Sequence, residues 1–316
     1  MSRRHATVVF MGSPDFAVPS LNALVESERL LPQLVVSQPD RPRGRGREVS
    51  PTPVRQRALD LGIPTVQMSK ETYAAGVTRI AELQPDIIVV VAFGLILRRD
   101  LLDLPKHGCI NVHASLLPKY RGVSPIQAAI LAGDAVTGCT TMHIDEGVDT
   151  GDILLQAETP IADTDTAGSL FDRLAGIGAE LLVTTLDGLL DGTVKPRPQA
   201  AALATHTKKI KKEHGLVDWT RDAQYLSRHV RAMSPWPTAY TFVGTARLII
   251  EAATAADSHR AAPGTVVSLD PLVVATGNGT LELRVVRPEG KRAMSAREFL
   301  AGHRLHVGDR LASYEN

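Results

Sequence analysis

Two cysteines in 316 residues, Cys109 and Cys139, are too few and too widely placed for a secreted disulfide framework or a cysteine metal cluster. Their Ile, Val and Leu neighbours suggest small buried hydrophobes. Long apolar runs are also missing: the longest, Ile87 to Phe93, is far too short to span a bilayer, and no membrane partner is expected. Arg3 and Arg4 are followed by only a short apolar stretch before Gly12-Ser13-Pro14. Neither a signal peptide nor a twin-arginine export signal is expected there, so the expected location is the cytoplasm. Gly-x-Gly-x-x-Gly is absent after the first strand, which weighs against a dinucleotide-dependent oxidoreductase. Internal repeats and low-complexity tracts are absent as well.

Net charge is nearly absent, at +1, but it is unevenly spread. Residues 1–199 carry 19 Lys+Arg against 23 Asp+Glu, and residues 200–316 carry 16 against 11. Charge alone favours a chance asymmetry, with a polyanionic partner for the basic part as the alternative. A hydrophobic content of 44% and a charged content of 22% are those of an ordinary globular protein, and the length suits two domains.

The first 190 residues alternate between strand and helix signals. Strands are expected at 7–10, 34–36, 86–91, 109–113 and 137–144. Helices are expected around Phe16, Leu21 and Leu24, over 54–61, 74–83 and 126–131, and over 166–190 with Leu170, Leu174, Ile177 and Leu181 on one face. Such alternation predicts an α/β, Rossmann-like, mostly parallel sheet with helices on both sides. A connecting segment is expected over 191–207, where Lys195-Pro196-Arg197-Pro198 leads into an Ala-rich stretch. Beyond it, short strands at 264–269, 272–276 and 280–286, with a hairpin cue at Asn278-Gly279, predict a small β-barrel of the OB-like kind over 208–316.

Chemistry concentrates in two stretches. Cys109-Ile110-Asn111-Val112-His113 reads as a strand, so Asn111 and His113 share one face, roughly 7 Å apart. They lie where the strand runs out, and ligands bind at the carboxyl ends of strands in open α/β sheets. Asp149 follows in the glycine-flanked loop Glu146-Gly147-Val148-Asp149-Thr150-Gly151. Taken singly, Asn111 reads as a cap, His113 as a satisfied surface imidazole and Asp149 as an Asx turn. Together an amide, an imidazole and a carboxylate can steady an oxyanion and move protons, which suits acyl-type transfer. No metal is expected, because the Cys and His spacings suggest none.

The run Ser115-Leu116-Leu117-Pro118-Lys119-Tyr120-Arg121-Gly122 resembles the signature of the 10-formyltetrahydrofolate-dependent formyltransferases. Met11-Gly12-Ser13-Pro14-Asp15-Phe16 is similar to the family's first strand-turn. The Gln38–Arg47 stretch is similar to its tRNA-contacting loop, in the members whose acceptor is methionyl-initiator tRNA. Lys211-Lys212-Glu213, Asp218-Trp219, Ser234-Pro235-Trp236-Pro237 and Pro263-Gly264-Thr265 extend the likeness over the second domain. The resemblance implies that Asn111, His113 and Asp149 are catalytic. It implies a folate pocket from Phe93, Gly94, Leu95, Ile96 and Leu97, from Ser115, Leu116, Leu117 and Pro118, and from Glu146, Gly147 and Val148. Plain core packing is the competing account of the leucines and Ile96.

The resemblance also implies 10-formyltetrahydrofolate as formyl donor and tRNA contacts from Arg41, Arg43, Arg45 and Arg47 and from Lys208, Lys209, Lys211 and Lys212. A monomer is expected. Phe93 stands where the family usually has Tyr, and Glu48 where a second basic residue is common. The rival acceptors are an amino-sugar nucleotide, or water in a hydrolase; neither gives work to the Arg-rich loop. A tRNA-binding protein without catalysis would make the Asn111, His113 and Asp149 set accidental.

Overall fold

The computed structural model describes residues 5–43, 48–256 and 260–312. In chain order, the first part holds β1 (Val8–Gly12), α1 (Val18–Glu26), β2 (Pro32–Ser37), β3 (Arg41–Arg43), β4 (Glu48–Ser50), α2 (Pro53–Asp60) and β5 (Thr65–Gln67). Then come α3 (Tyr73–Ala81), β6 (Ile87–Val91), α4 (Arg99–Leu102), β7 (Cys109–His113), β8 (Arg121–Gly122), α5 (Pro125–Ala132), β9 (Val136–His143), β10 (Ile153–Pro160) and α6 (Ala167–Leu190). The chain forms two compact units. The first takes in the chain up to Gly122, then Val136–Thr159 and Phe171–His206; the second takes in Val123–Ala135, Pro160–Leu170 and the chain from Thr207 onward.

The first unit is built on a seven-stranded sheet in the order β10-β9-β7-β6-β1-β2-β5. Pairings from β5 through β7 are parallel, and β9 runs antiparallel to β7, so the sheet is mostly parallel as the alternation predicted. β1 and β6 are buried at every position, the expected state of strands covered on both faces. Local chemistry starts the helices: Thr52 Oγ1 accepts the Arg55 N–H at 3.2 Å, with Pro53 opening α2. In the second unit, α5 opens on Pro125 and closes on Gly133 in the left-handed conformation.

α6 differs in phase from the expected face. Ile177 and Leu181 are half-buried, and the line of burial runs Leu170, Leu174, Gly178, Leu182, Leu186. Gly178 is the reason. A Cβ there would stand 2.8 Å from Val112 Cγ1, so the missing side chain lets the helix press on the middle of β7. Because side chains alternate along a strand, Val112 faces this helix and Asn111 and His113 face away from it.

The second unit carries an antiparallel sheet of six strands: Ala239–Val243, Ala246–Ala256, Val266–Leu269, Leu272–Ala275, Thr280–Pro288 and Met294–Ser295. The first pairs the second, then follow the fifth, fourth and third, and the sixth pairs the fifth. The expected all-β architecture is present as this antiparallel sheet. Its two edges are joined through single bridges, Phe242 to Ala312 and Thr265 to Arg310, and not by a strand ladder. The Asn278-Gly279 turn connects the fourth and fifth strands, with Gly279 at φ 86°. A helix at Ala223–Ala232, capped by Asp222 accepting the Tyr225 N–H, precedes the sheet and escaped the sequence reading.

Candidate active site

β7 delivers Asn111 and His113 to one face. His113 is buried and Asn111 half-buried. Asp149 arrives by a longer route than a simple strand end. β9 runs against β7, so its last residue His143 pairs with Ile110, near the start of β7. The loop after it must travel back along β7 before Asp149, in the left-handed conformation at φ 53°, meets His113. There the carboxylate Oδ2 stands 3.6 Å from His113 Nδ1, with side-chain exposures of 7% for the imidazole and 17% for the carboxylate. The structure therefore brings these two together and sets Asn111 two residues earlier on the same strand face.

The imidazole is held from its other side by main chain. Nε2 lies 3.0 Å from the Tyr120 carbonyl oxygen, and a carbonyl only accepts, so Nε2 carries the proton and donates it there. That leaves Nδ1 as the ring nitrogen facing Asp149. The same Asp149 oxygen accepts the Gly122 N–H at 2.7 Å. The segment Tyr120–Gly122 thus contacts both members of the pair.

The other expected positions fall into two groups. Ile96 and Val148 are 84% and 62% exposed, large apolar side chains left open to solvent on two loops of the first unit. Gly94 adopts φ 81°, and Leu95 is partly buried. Glu146 is exposed and pairs with Arg99 at 2.6 Å; the Gly147 N–H goes to Asp145. Phe93 and Leu97, by contrast, belong to the sheet's core, and Leu117 packs with Met142 and Ile153. The turn at 115–118 is satisfied by neighbouring segments. Ser115 Oγ donates to the Lys119 carbonyl, the Leu117 N–H goes to Thr140 Oγ1, and Gln156 donates to the Leu117 carbonyl. Pro118 follows a cis peptide bond, and Leu116 is half-buried.

Of the basic residues, Arg41 is exposed and donates to Gln38 Oε1 at 3.1 Å. It borders a cleft of about 260 Å³ lined also by Ser13, Pro14, Gln38, Thr52 and Phe93. Arg43 pairs through its backbone with Glu48 in a short hairpin of β3 and β4, and Arg45 and Arg47 lie outside the described residues. Lys208, Lys209, Lys211 and Lys212 are all exposed; Lys211 approaches Glu213 at 3.4 Å. Among the described residues no group of three or more His, Cys, Asp or Glu side chains could hold a metal ion, and no helix is long and apolar enough to cross a membrane.

Residues 6–186 match the family described as Formyl transferase, and residues 209–304 match Formyl transferase, C-terminal domain. The chain belongs to the formyl transferase family. It is 47% identical over 305 residues to a methionyl-tRNA formyltransferase of Citrifermentans bemidjiense, covering 95% of each chain. Among solved structures it is similar to an N-formyltransferase from Helicobacter canadensis in complex with folinic acid and dTDP-3-aminofucose. That likeness has a TM-score of 0.65 at 19% identity and covers 91% of this chain and 100% of that one. It is also similar to HypX from Aquifex aeolicus in complex with tetrahydrofolic acid, with a TM-score of 0.60 at 17% identity, over 94% of this chain and 47% of that one. At such identities the two structural likenesses speak for the fold of this formyltransferase alone.

The sequence reading missed Gln199 and Thr205. Arg121 bonds the Gln199 side chain twice, and Gln199 donates to the Asp149 and Gly151 carbonyls. Thr205 takes the Tyr120 N–H on Oγ1. Arg121 lies inside the Ser115–Gly122 signature; for Gln199, in a Pro- and Ala-rich connecting stretch, no local signal existed.

Proposed function

We propose that this chain transfers the formyl group of 10-formyltetrahydrofolate to the amino group of methionyl-initiator tRNA, giving N-formylmethionyl-tRNA for translation initiation. The observation that carries the reading is the His113–Asp149 pair, Nδ1 3.6 Å from Oδ2, beside Asn111 on β7. The acceptor is supported by curated relatives at 42–47% identity that bear the name methionyl-tRNA formyltransferase. On this reading residues 1–190 carry the chemistry, 191–207 connect, and 208–316 bind tRNA, in a cytoplasmic monomer.

The nucleophile is the α-amino group of the aminoacyl ester. Such amines titrate at about 7.7–8.0, so a usable neutral fraction exists near neutrality. Its nitrogen bonds to the formyl carbon, the formyl oxygen takes up negative charge, and the bond from carbon to folate N10 breaks as that charge collapses. The Asn111 amide donates to the oxyanion, an interaction worth about 3–4 kcal/mol when the donor is preorganised. His113 and Asp149 take the proton the amine releases and return it to N10. With Nε2 given to Tyr120, that traffic runs over the Nδ1 edge of the ring.

Ile96 and Val148 suit the faces of a flat heterocycle, since large exposed apolar groups beside polar chemistry mark a binding surface. Phe93, Gly94, Leu95 and Leu97, with Ser115 to Pro118 and Glu146 to Gly147, would shape that pocket largely from behind. Arg41, Arg43, Arg45 and Arg47 would meet the acceptor stem. Lys208, Lys209, Lys211 and Lys212 would follow phosphates, where exposed charge suffices.

The test is formyl transfer from 10-formyltetrahydrofolate to charged initiator tRNA, beside uncharged tRNA and a UDP-amino-sugar. Formylation confined to methionyl-initiator tRNA is expected. Formylated sugar with untouched tRNA would overturn the acceptor, and folate consumed in water would make the chain a hydrolase.

A further inference from the structure

Two residues at the site, Tyr120 and Asp149, adopt left-handed backbone at φ 61° and 53°, without being glycine. Such conformations persist where the surroundings over-determine them. Both are also held through main chain by one stretch, 199–205, in the segment whose composition marks it as a connector. Gln199 Nε2 donates to the Asp149 carbonyl at 2.9 Å and to the Gly151 carbonyl at 2.7 Å, gripping the loop on both sides of Thr150. Gln199 Oε1 accepts from Arg121 Nε at 3.0 Å and Nη2 at 2.7 Å. Thr205 Oγ1 takes the Tyr120 N–H at 2.7 Å, and the Thr205 carbonyl takes the Arg121 N–H at 2.8 Å.

We infer that Gln199 is a positioning residue for formyl transfer. With Arg121 and Thr205 it clamps the two backbone strands that present the Tyr120 carbonyl to His113 Nε2 and the Asp149 carboxylate to His113 Nδ1. The inference rests on the reading that His113 and Asp149 carry the transfer. Gln199 reaches the Asp149 loop only through backbone carbonyls, and so acts through placement. An amide is the side chain the place requires. Its oxygen meets a buried guanidinium while its nitrogen meets two carbonyls, and neither a carboxylate nor an ammonium satisfies both sides. Displacing a catalytic group by about 1 Å costs up to about a hundredfold in rate, because the reacting atoms leave their aligned contact.

The experiment compares Gln199→Ala, Gln199→Glu, Arg197→Ala and His113→Ala in the full chain. It measures kcat, KM for both substrates, equilibrium binding of 10-formyltetrahydrofolate and the thermal midpoint. Arg197 anchors the same segment to Gln156 at 2.5 Å without touching the Asp149 loop, and serves as the control. Gln199→Glu keeps the partner of Arg121 and removes both donors to the loop, which guards against a simple folding failure in Gln199→Ala.

The expected result is a fall in kcat of about tenfold to a hundredfold for both Gln199 variants, with KM and folate binding within about twofold of the parent, and a parent-like Arg197→Ala. An unchanged kcat in Gln199→Glu would overturn the inference. So would an equal loss in Arg197→Ala, or a fall in folate binding or thermal midpoint that matches the fall in kcat. His113→Ala separates the two levels. If it is inactive while Gln199→Glu is parent-like, only the positioning role fails; if it turns over normally, the catalytic reading fails and this inference with it.

Discussion

His113 and the lysines at 208–212 are both assigned to the same reaction, yet they are held in opposite ways. His113 is buried, both ring nitrogens face protein acceptors, and those acceptors are fixed by segments from 120–122, 149–151 and 199–205. The four lysines are exposed, and the ion pair of Lys211 with Glu213 leaves both side chains about two-thirds exposed, at 65% and 64%. On the proposed function the difference follows from the work. Bond making needs reacting groups placed to a fraction of an ångström. Attraction to a phosphate chain falls off over a Debye length of about 8–10 Å and tolerates a mobile amine.

That contrast breaks most sharply at the buried pair. His113→Ala or Asp149→Asn is expected to lower kcat by about a hundred- to ten-thousandfold in single-turnover formylation, with tRNA binding retained. Asn111→Ala should follow with a loss of about a hundred- to a thousandfold, again in kcat, because one oxyanion donor is removed. Parent-like turnover in any of these would end the proposal that the set is catalytic.

A milder probe pushes on the site from behind. Gly178→Val places carbon atoms against Val112 Cγ1, where even a Cβ would lie at 2.8 Å. Overpacking of this kind is expected to destabilise the protein by about 1–3 kcal/mol in denaturant unfolding. It should also lower activity, since Val112 lies between Asn111 and His113.

The exposed side of the comparison answers to salt and not to geometry. Replacing Lys208, Lys209 or Lys212 by Ala should weaken tRNA binding modestly. The slope of log affinity against log salt should fall by about one for each phosphate the variant no longer neutralises. kcat at saturating tRNA should hardly change. The smallest effect is expected at the cysteines. Burial pushes the thiols of Cys109 and Cys139 up to about 12, so thiolate is absent at pH 8 and the folded protein should resist iodoacetamide at both positions. Rapid alkylation of the native protein would show that β7 and β9, which carry them, open readily.

The strands of the first unit were legible because parallel, doubly covered strands are written as unbroken apolar runs, as at Ile87–Val91. Asn111 and His113 were legible for the related reason that two polar residues with period two interrupt such a strand at its end. The strands β5 and β10 were not: Thr65–Gln67 is only three residues long, and the apolar opening of Ile153–Pro160 gives way to Gln156, Glu158 and Thr159. The α6 face was read correctly at Leu170 and Leu174 and missed by one position beyond them, because Gly178 counts as nothing on a hydrophobic scale while lying directly against Val112. The second unit's strands at 266–269, 272–275 and 280–288 were marked by their turns. The joining of its two edges was not marked, because the single bridges at Arg310 and Ala312 that make it come from a short stretch with no strand pattern of its own.

By itself the sequence determined the alternating architecture, the family and the residue types available for chemistry, because apolar period, turn residues and motif order are local properties of the chain. Tertiary structure alone decided that β9 runs against β7, so that the loop after it doubles back to set Asp149 beside His113. It also decided that Gln199, fifty residues beyond Asp149, grips that loop. Register, strand direction and long-range hydrogen bonds are relations between segments, and no window along the chain contains them.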